Sequence, residues 1–185
     1  GSFAIVPAEL RQVGYIGGPA HGPFDTLPVP ERYTLLTYMF LHANWLHLLG
    51  NMLFLWVFGD NVEDAIGHFK FLLFYLACGV IAALVHAAAM PASPTPLIGA
   101  SGAVAGVVAA YLMLHPRVRV WVLVARIFPL RVSAAWALGF WVLYQFAMLA
   151  LTNAGVIQGP VAWWAHIGGL AAGAILIMIM RRPGV

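Results

Sequence analysis

Charge is what this sequence has least of. Lys, Arg, Asp and Glu make up 8% of its 185 residues, against roughly a quarter in a soluble domain. Such a chain cannot cover a water-facing surface. With 63% hydrophobic residues and a mean hydropathy of +0.91, it reads as an integral membrane protein of one domain. Cysteine is nearly absent: Cys78 stands alone in an apolar run, which excludes a disulfide framework. Carboxylates are missing from the apolar runs. Glu9, Asp25, Glu31, Asp60, Glu63 and Asp64 all fall in loops or at run ends. That excludes two-aspartate intramembrane chemistry and leaves any histidine inside a span without an acidic partner. Metal-ligand spacing is weak, since His42 and His47 are five apart and no His-Glu-x-x-His occurs. The elbow Gly-x-Ser-x-Gly is absent, because Ala103 takes its last position. The formal charge of +3 is no nucleic-acid footprint, because the basic residues sit at segment ends rather than in a patch.

What is present is a series of apolar runs. Residues 1–34 are broken by Pro7, Gly14, Pro19, Pro23, Pro28 and Pro30 and carry Glu9, Arg11, Asp25, Glu31 and Arg32. They are expected to form a loop region on the extracytoplasmic side. Residues 35–182 are expected to form the transmembrane core, an all-α polytopic bundle. Its five spans fall at about 35–58, 69–90, 97–114, 133–151 and 161–180. The first ends at Gly59-Asp60-Asn61-Val62-Glu63-Asp64.

Crossing these spans alternately puts Arg117, Arg119, Arg126, Arg131, Arg181, Arg182 and Lys70 on one side, which is the cytoplasmic one. Only Arg11 and Arg32 oppose this. Trp163 and Trp164 fall in an outer interfacial belt. Ser101 and His166 then share a depth. Each descends from the outer surface on its own helix, roughly 5–10 Å down at about 1.5 Å per residue. His47 and Asn51 descend from the same side, four residues apart and so on one helix face.

The polar residues have both plain and chemical readings. Ser101 lies in Gly99-Ala100-Ser101-Gly102-Ala103-Val104-Ala105-Gly106, about one turn inside the third span. A serine there can bond back to a carbonyl, and Gly102 with Gly106 makes a small-xxx-small packing pair. His166 can be a buried histidine bonded to a backbone carbonyl, but ionisable groups inside a membrane are functional by default. Together the two supply a nucleophile and a general base. His47 and Asn51 can donate to an oxyanion or act as interhelical polar glue. His42 sits nearer the surface, where it can brace the loop. His68, His86 and His115 read as structural or interfacial.

Taken together, these residues resemble the rhomboid family of intramembrane serine proteases over roughly residues 33–182. The Gly-x-Ser-Gly signature is Gly99-Ala100-Ser101-Gly102. The His-x-x-x-Asn signature is His47-Leu48-Leu49-Gly50-Asn51. The Ala-His-x-x-Gly signature is Ala165-His166-Ile167-Gly168-Gly169. The resemblance implies that Ser101 is the nucleophile and His166 its base. It implies an oxyanion hole formed by His47, Asn51 and the Ser101 amide, with Gly99, Gly102, Gly106, Gly169 and His42 as motif support. It implies a rhomboid-like bundle whose first family span has no counterpart among the five seen here. It implies cleavage of transmembrane protein substrates in a lipid bilayer without metal or organic cofactor. The setting implied is a bacterial inner membrane, with the active site on the extracytoplasmic side. The aromatic fourth span, with Trp136, Phe140, Trp141, Tyr144 and Phe146, matches the family's proposed substrate gate or is simply lipid-facing. Many members place a tyrosine one turn after the serine, against the histidine. Here that position is Ala105, so His166 is expected to be oriented by packing or water. Two rival readings stay open: a non-catalytic binder of client helices on the same fold, and a small transporter using His47, Asn51 and His166 as a relay.

Overall fold

Proline and glycine place the first elements. The computed structural model describes residues 3–14, 29–124, 128–159 and 161–182. Pro7 opens a short helix, α1 (Pro7–Val13), at a position where its missing N–H costs nothing. Gly14 ends it with a positive φ of 76°. Leu10 of α1 is buried, as is Ile5 just before it, so this part of the N-terminal region is packed onto the bundle. Residues 15–28 of the expected loop, and Arg126 of the expected cytoplasmic set, lie outside the described residues.

The next helix, α2 (Glu31–Thr37), straddles the boundary expected at residue 34 and runs into a 3-10 turn at Tyr38–Phe40. The first span is therefore not a helix over 35–58. It is α3 (Trp45–Ile66), begun where the Asn44 Oδ1 accepts the His47 N–H at 2.9 Å. It also continues through Asp60, Glu63 and Asp64, which were expected to end it. Acidic side chains at the helix end project to water without breaking the helix, and the stop comes at Gly67, with a φ of 93°.

Then come α4 (His68–Ala89), α5 (Ser101–Leu114), an antiparallel hairpin of β1 (Arg119–Val124) and β2 (Phe128–Ser133), α6 (Ala134–Asn153) and α7 (Trp163–Met180). Among the described residues the helical bundle thus carries one small sheet, in register Arg119↔Ser133 through Val124↔Phe128. The β-branched and aromatic run Val120-Trp121-Val122 suits a strand better than the loop expected there. Among the described residues, α4, α6 and α7 are long and apolar enough to cross a membrane.

α5 is shorter than expected. Its 14 residues span about 21 Å at 1.5 Å each, less than the ~30 Å hydrocarbon core. The segment before it is extended rather than helical. Backbone groups at that depth need partners within the protein, and they have them. The Leu97 N–H donates to the Ile5 carbonyl at 2.6 Å, the Ile5 N–H donates back at 3.2 Å, and the Gly99 N–H donates to the Tyr38 carbonyl at 2.9 Å. The buried Tyr38 hydroxyl donates in turn to the Gly79 carbonyl of α4 at 2.7 Å.

α5 is the hub. Every residue from Gly102 to Tyr111 is buried, with α3, α4 and α7 packed around it. Small residues let α7 approach closely: Gly102 and Gly106 of α5 face Gly169 and Gly173 of α7. α6 stands at the edge. It buries Ala134, Leu138, Gln145 and Leu149 on one face and leaves Trp136 and Phe140 78% and 73% exposed on the lipid side.

Candidate active site

Ser101 is the first residue of α5, not a residue one turn inside it. Its position follows from Gly99, whose φ of 110° turns the extended segment into the helix. As the first helical residue it contributes an amide that no preceding turn can accept, at the positive end of the helix dipole. His166 lies in the first turn of α7, and the glycine crossing between the two helices brings the side chains together. The His166 Nε2 is 2.9 Å from the Ser101 Oγ, across 65 residues of sequence.

The other ring nitrogen also has a partner. His166 Nδ1 is 2.8 Å from the Oε1 of Gln145 on α6. The Gln145 side chain is buried, and its Nε2 donates to the Trp141 carbonyl at 3.2 Å. Trp163 meets the imidazole edge-on, with ring centres 5.7 Å apart and planes at 89°. Tyr144 of α6 meets Trp163 the same way at 5.9 Å. The orientation expected from packing or water thus comes from a side-chain amide and an indole. Ala105, the position where the resemblance led to expecting a tyrosine, is fully buried beside Leu170.

Sequence reasoning missed Gln145. A signal was available: between Ala134 and Leu151 it is the only amide, and its polar neighbour is the Tyr144 phenol. An unpaired amide in lipid is costly, so such a residue points inward to a partner. His86 also comes near the pair. Expected to be structural, it lines the same cavity as Ser101 and His166.

That cavity has a volume of about 830 Å³ and is walled by Asn44, His47, His86, Ser101, Trp163 and His166 among others. His47 stands against Gly99, where a Cβ would come within 2.6 Å of its ring. Its Nδ1 accepts the Ala43 N–H at 3.4 Å. His42 meets the His47 ring edge-on at 5.1 Å. Burial, then the neighbouring His47, holds the His42 imidazole below its usual pKa. Asn51 is buried, and its Nδ2 donates to the His47 carbonyl one turn earlier at 3.1 Å. It sits one turn after His47 on the same face of α3, and its second amide hydrogen is not used by that bond. Gly102, Gly106 and Gly169 are helix-crossing residues.

A helical membrane bundle that holds a serine–histidine pair on the wall of a cavity is the class of protein these features define. Comparison with known proteins agrees. Residues 29–183 match the family model of the Rhomboid domain, and the chain belongs to the rhomboid family. It is 33% identical over 162 residues to the chloroplastic Rhomboid-like protein 11 of Arabidopsis thaliana, covering 83% of this chain and 54% of that one. It is 36% identical over 153 residues to the Rhomboid protease GluP of Bacillus subtilis, covering 83% and 27%. It is 29% identical over 147 residues to the mitochondrial Presenilin-associated rhomboid-like protein of Homo sapiens, covering 75% and 35%. The chain thus spans from about a quarter to about half the length of these relatives. It is an integral, multi-pass membrane protein. Its relatives carry plastid, mitochondrial and bacterial names, so the likeness does not single out the bacterial inner membrane expected from the sequence.

Proposed function

We propose that this protein is an intramembrane serine endopeptidase that cleaves membrane-anchored protein substrates near the extracytoplasmic face. The observation that carries the reading is the 2.9 Å approach of His166 Nε2 to Ser101 Oγ at the wall of a cavity of about 830 Å³.

In this reading the Ser101 Oγ attacks the scissile carbonyl while His166 Nε2 takes its proton. Neutral imidazole does this near pH 7. The tetrahedral oxyanion is held by the Ser101 amide at the start of α5, by the His47 ring and by the Asn51 amide. His166 then returns the proton to the leaving nitrogen, and a water entering through the cavity repeats the sequence on the acyl-enzyme. Substrate enters beside α6, whose Trp136 and Phe140 face lipid and whose Trp141 ring lies 5.9 Å, centre to centre, from Phe54 of α3.

The test is labelling with a fluorophosphonate, together with cleavage of a fluorogenic single-span substrate in detergent. The native chain should do both. A folded Ser101→Ala variant should do neither, and cleavage by that variant would refute the reading.

A further inference from the structure

The His166 ring is held from both sides, and the side away from Ser101 is chemically defined. We propose that Gln145 is a positioning residue that makes the serine–histidine pair a neutral triad, Ser101–His166–Gln145. This rests on the serine-protease reading above.

The amide's own bonding fixes its direction. The Trp141 carbonyl can only accept, so the group facing it at 3.2 Å is the Gln145 NH2. The oxygen therefore faces His166 Nδ1 at 2.8 Å. A carbonyl oxygen cannot donate, so Nδ1 carries the hydrogen. The remaining lone pair of the neutral imidazole is then on Nε2, 2.9 Å from the Ser101 hydroxyl. That tautomer is the only one able to take the serine proton. Gln145 neither gains nor loses a proton at any step. The proton shuttles between Oγ, Nε2 and the leaving nitrogen, while Nδ1–H stays bonded to the amide oxygen throughout. With no carboxylate in the apolar runs, a neutral acceptor takes the orienting place that an aspartate fills in soluble serine hydrolases.

Burial supports this. Gln145 is 2% exposed in the middle of the inward face of α6, where a polar side chain is kept only with partners. The titratable groups around His166 are His47 on α3 and His86 on α4, which share its cavity, and Tyr144 on α6, which reaches it through Trp163. α5 brings the Ser101 hydroxyl, while its Tyr111 packs away against Phe58 and His115. Among the described residues, no carboxylate lines the cavity.

The experiment compares Gln145→Leu and Gln145→Glu with the native chain in detergent. It measures the rate of fluorophosphonate labelling, kcat, KM and the pH profile, with melting as the folding check. Gln145→Leu fills similar space but cannot accept. Its labelling rate and kcat should fall by about 10–100-fold, by analogy with partners that orient metal-bound histidines, with KM little changed. Gln145→Glu keeps an acceptor oxygen. It should recover most of that loss, and because a carboxylate favours the imidazolium its acid limb should move to higher pH. A folded Gln145→Leu variant within about twofold of the native rates would overturn the proposal. So would a folded Gln145→Glu as slow as Gln145→Leu. Failure of the native chain to label would instead refute the serine-protease reading itself, so the two failures are distinct.

Discussion

Gly169 of α7 presents its backbone to the carbonyl oxygen of Gly102 on α5, and a Cβ on Gly169 would overlap that oxygen. The contact sits one residue after Ser101 and one turn after His166, so it sets the distance between those two side chains. Without it, the two helix axes could not come close enough for a 2.9 Å side-chain approach.

Gly169→Ala should therefore push α7 away from α5. Overpacking of this kind costs about 1–3 kcal/mol, and the variant should melt lower in detergent and lose fluorophosphonate labelling. Gly139→Ala is the control. Nothing lies within 4 Å of a Cβ there, and alanine favours a helix over glycine by about 1 kcal/mol, so its melting point should hold or rise. Equal behaviour of the two variants would show that the crossing does not set the pair.

Gly99 combines a backbone demand with a steric one. Its φ is 110°, and a Cβ would lie 2.6 Å from His47 Cε1 and 2.8 Å from Nε2. Gly99→Ala should strain the backbone by roughly 1–3 kcal/mol and displace the His47 ring from the cavity wall. Turnover of the single-span substrate should drop, approaching the roughly 10²–10³-fold typical of one lost oxyanion donor. A folded Gly99→Ala with native turnover would remove His47 from the oxyanion hole.

Ala105 offers a test of a different kind. It is fully buried among Ala109, Leu170 and Trp141, while Gln145 and Trp163 already hold His166. Ala105→Tyr should overpack the α5–α6–α7 contact, lower the melting point and leave turnover no higher than native. A gain in turnover would mean that a ring beside His166 is still wanted there.

Much of this site was legible in the sequence because its signals are local. Ser101, His166, His47 and Asn51 are polar residues in apolar runs, where burial cost marks them for scrutiny, while the roles expected of them came from the family resemblance. The helix boundaries were less legible. Ser101 falls at the start of α5 because Leu97 pairs with Ile5 and Gly99 with Tyr38, bonds between segments far apart in the chain that no local pattern records. The run through Asp60, Glu63 and Asp64 stayed helical because carboxylates at a membrane surface are solvated and Gly67, not charge, ends the helix. Gln145 has no motif on its own span to single it out, and its partner, His166, lies on another.

Asn51 separates the catalytic reading from its rivals most sharply. Its Nδ2 is committed by one hydrogen to the His47 carbonyl at 3.1 Å, and an amide nitrogen carries a second that remains for a developing oxyanion. Asn51→Ala leaves Ser101 and His166 untouched, so fluorophosphonate should still react with Ser101. Substrate turnover should fall by up to about 10²–10³-fold, softened by His47 and the Ser101 amide, with KM nearly unchanged because the ground-state carbonyl needs the donor less than the oxyanion does. The lost bond also costs stability, on the order of 1 kcal/mol, so melting must be followed alongside the rate. Ser101→Ala should be far worse for turnover than Asn51→Ala. A relay transporter would give the reverse order, tolerating Ser101→Ala and failing at Asn51 or His47. Native turnover in a folded Asn51→Ala variant would take the amide out of the mechanism and leave it as a brace for the His47 turn.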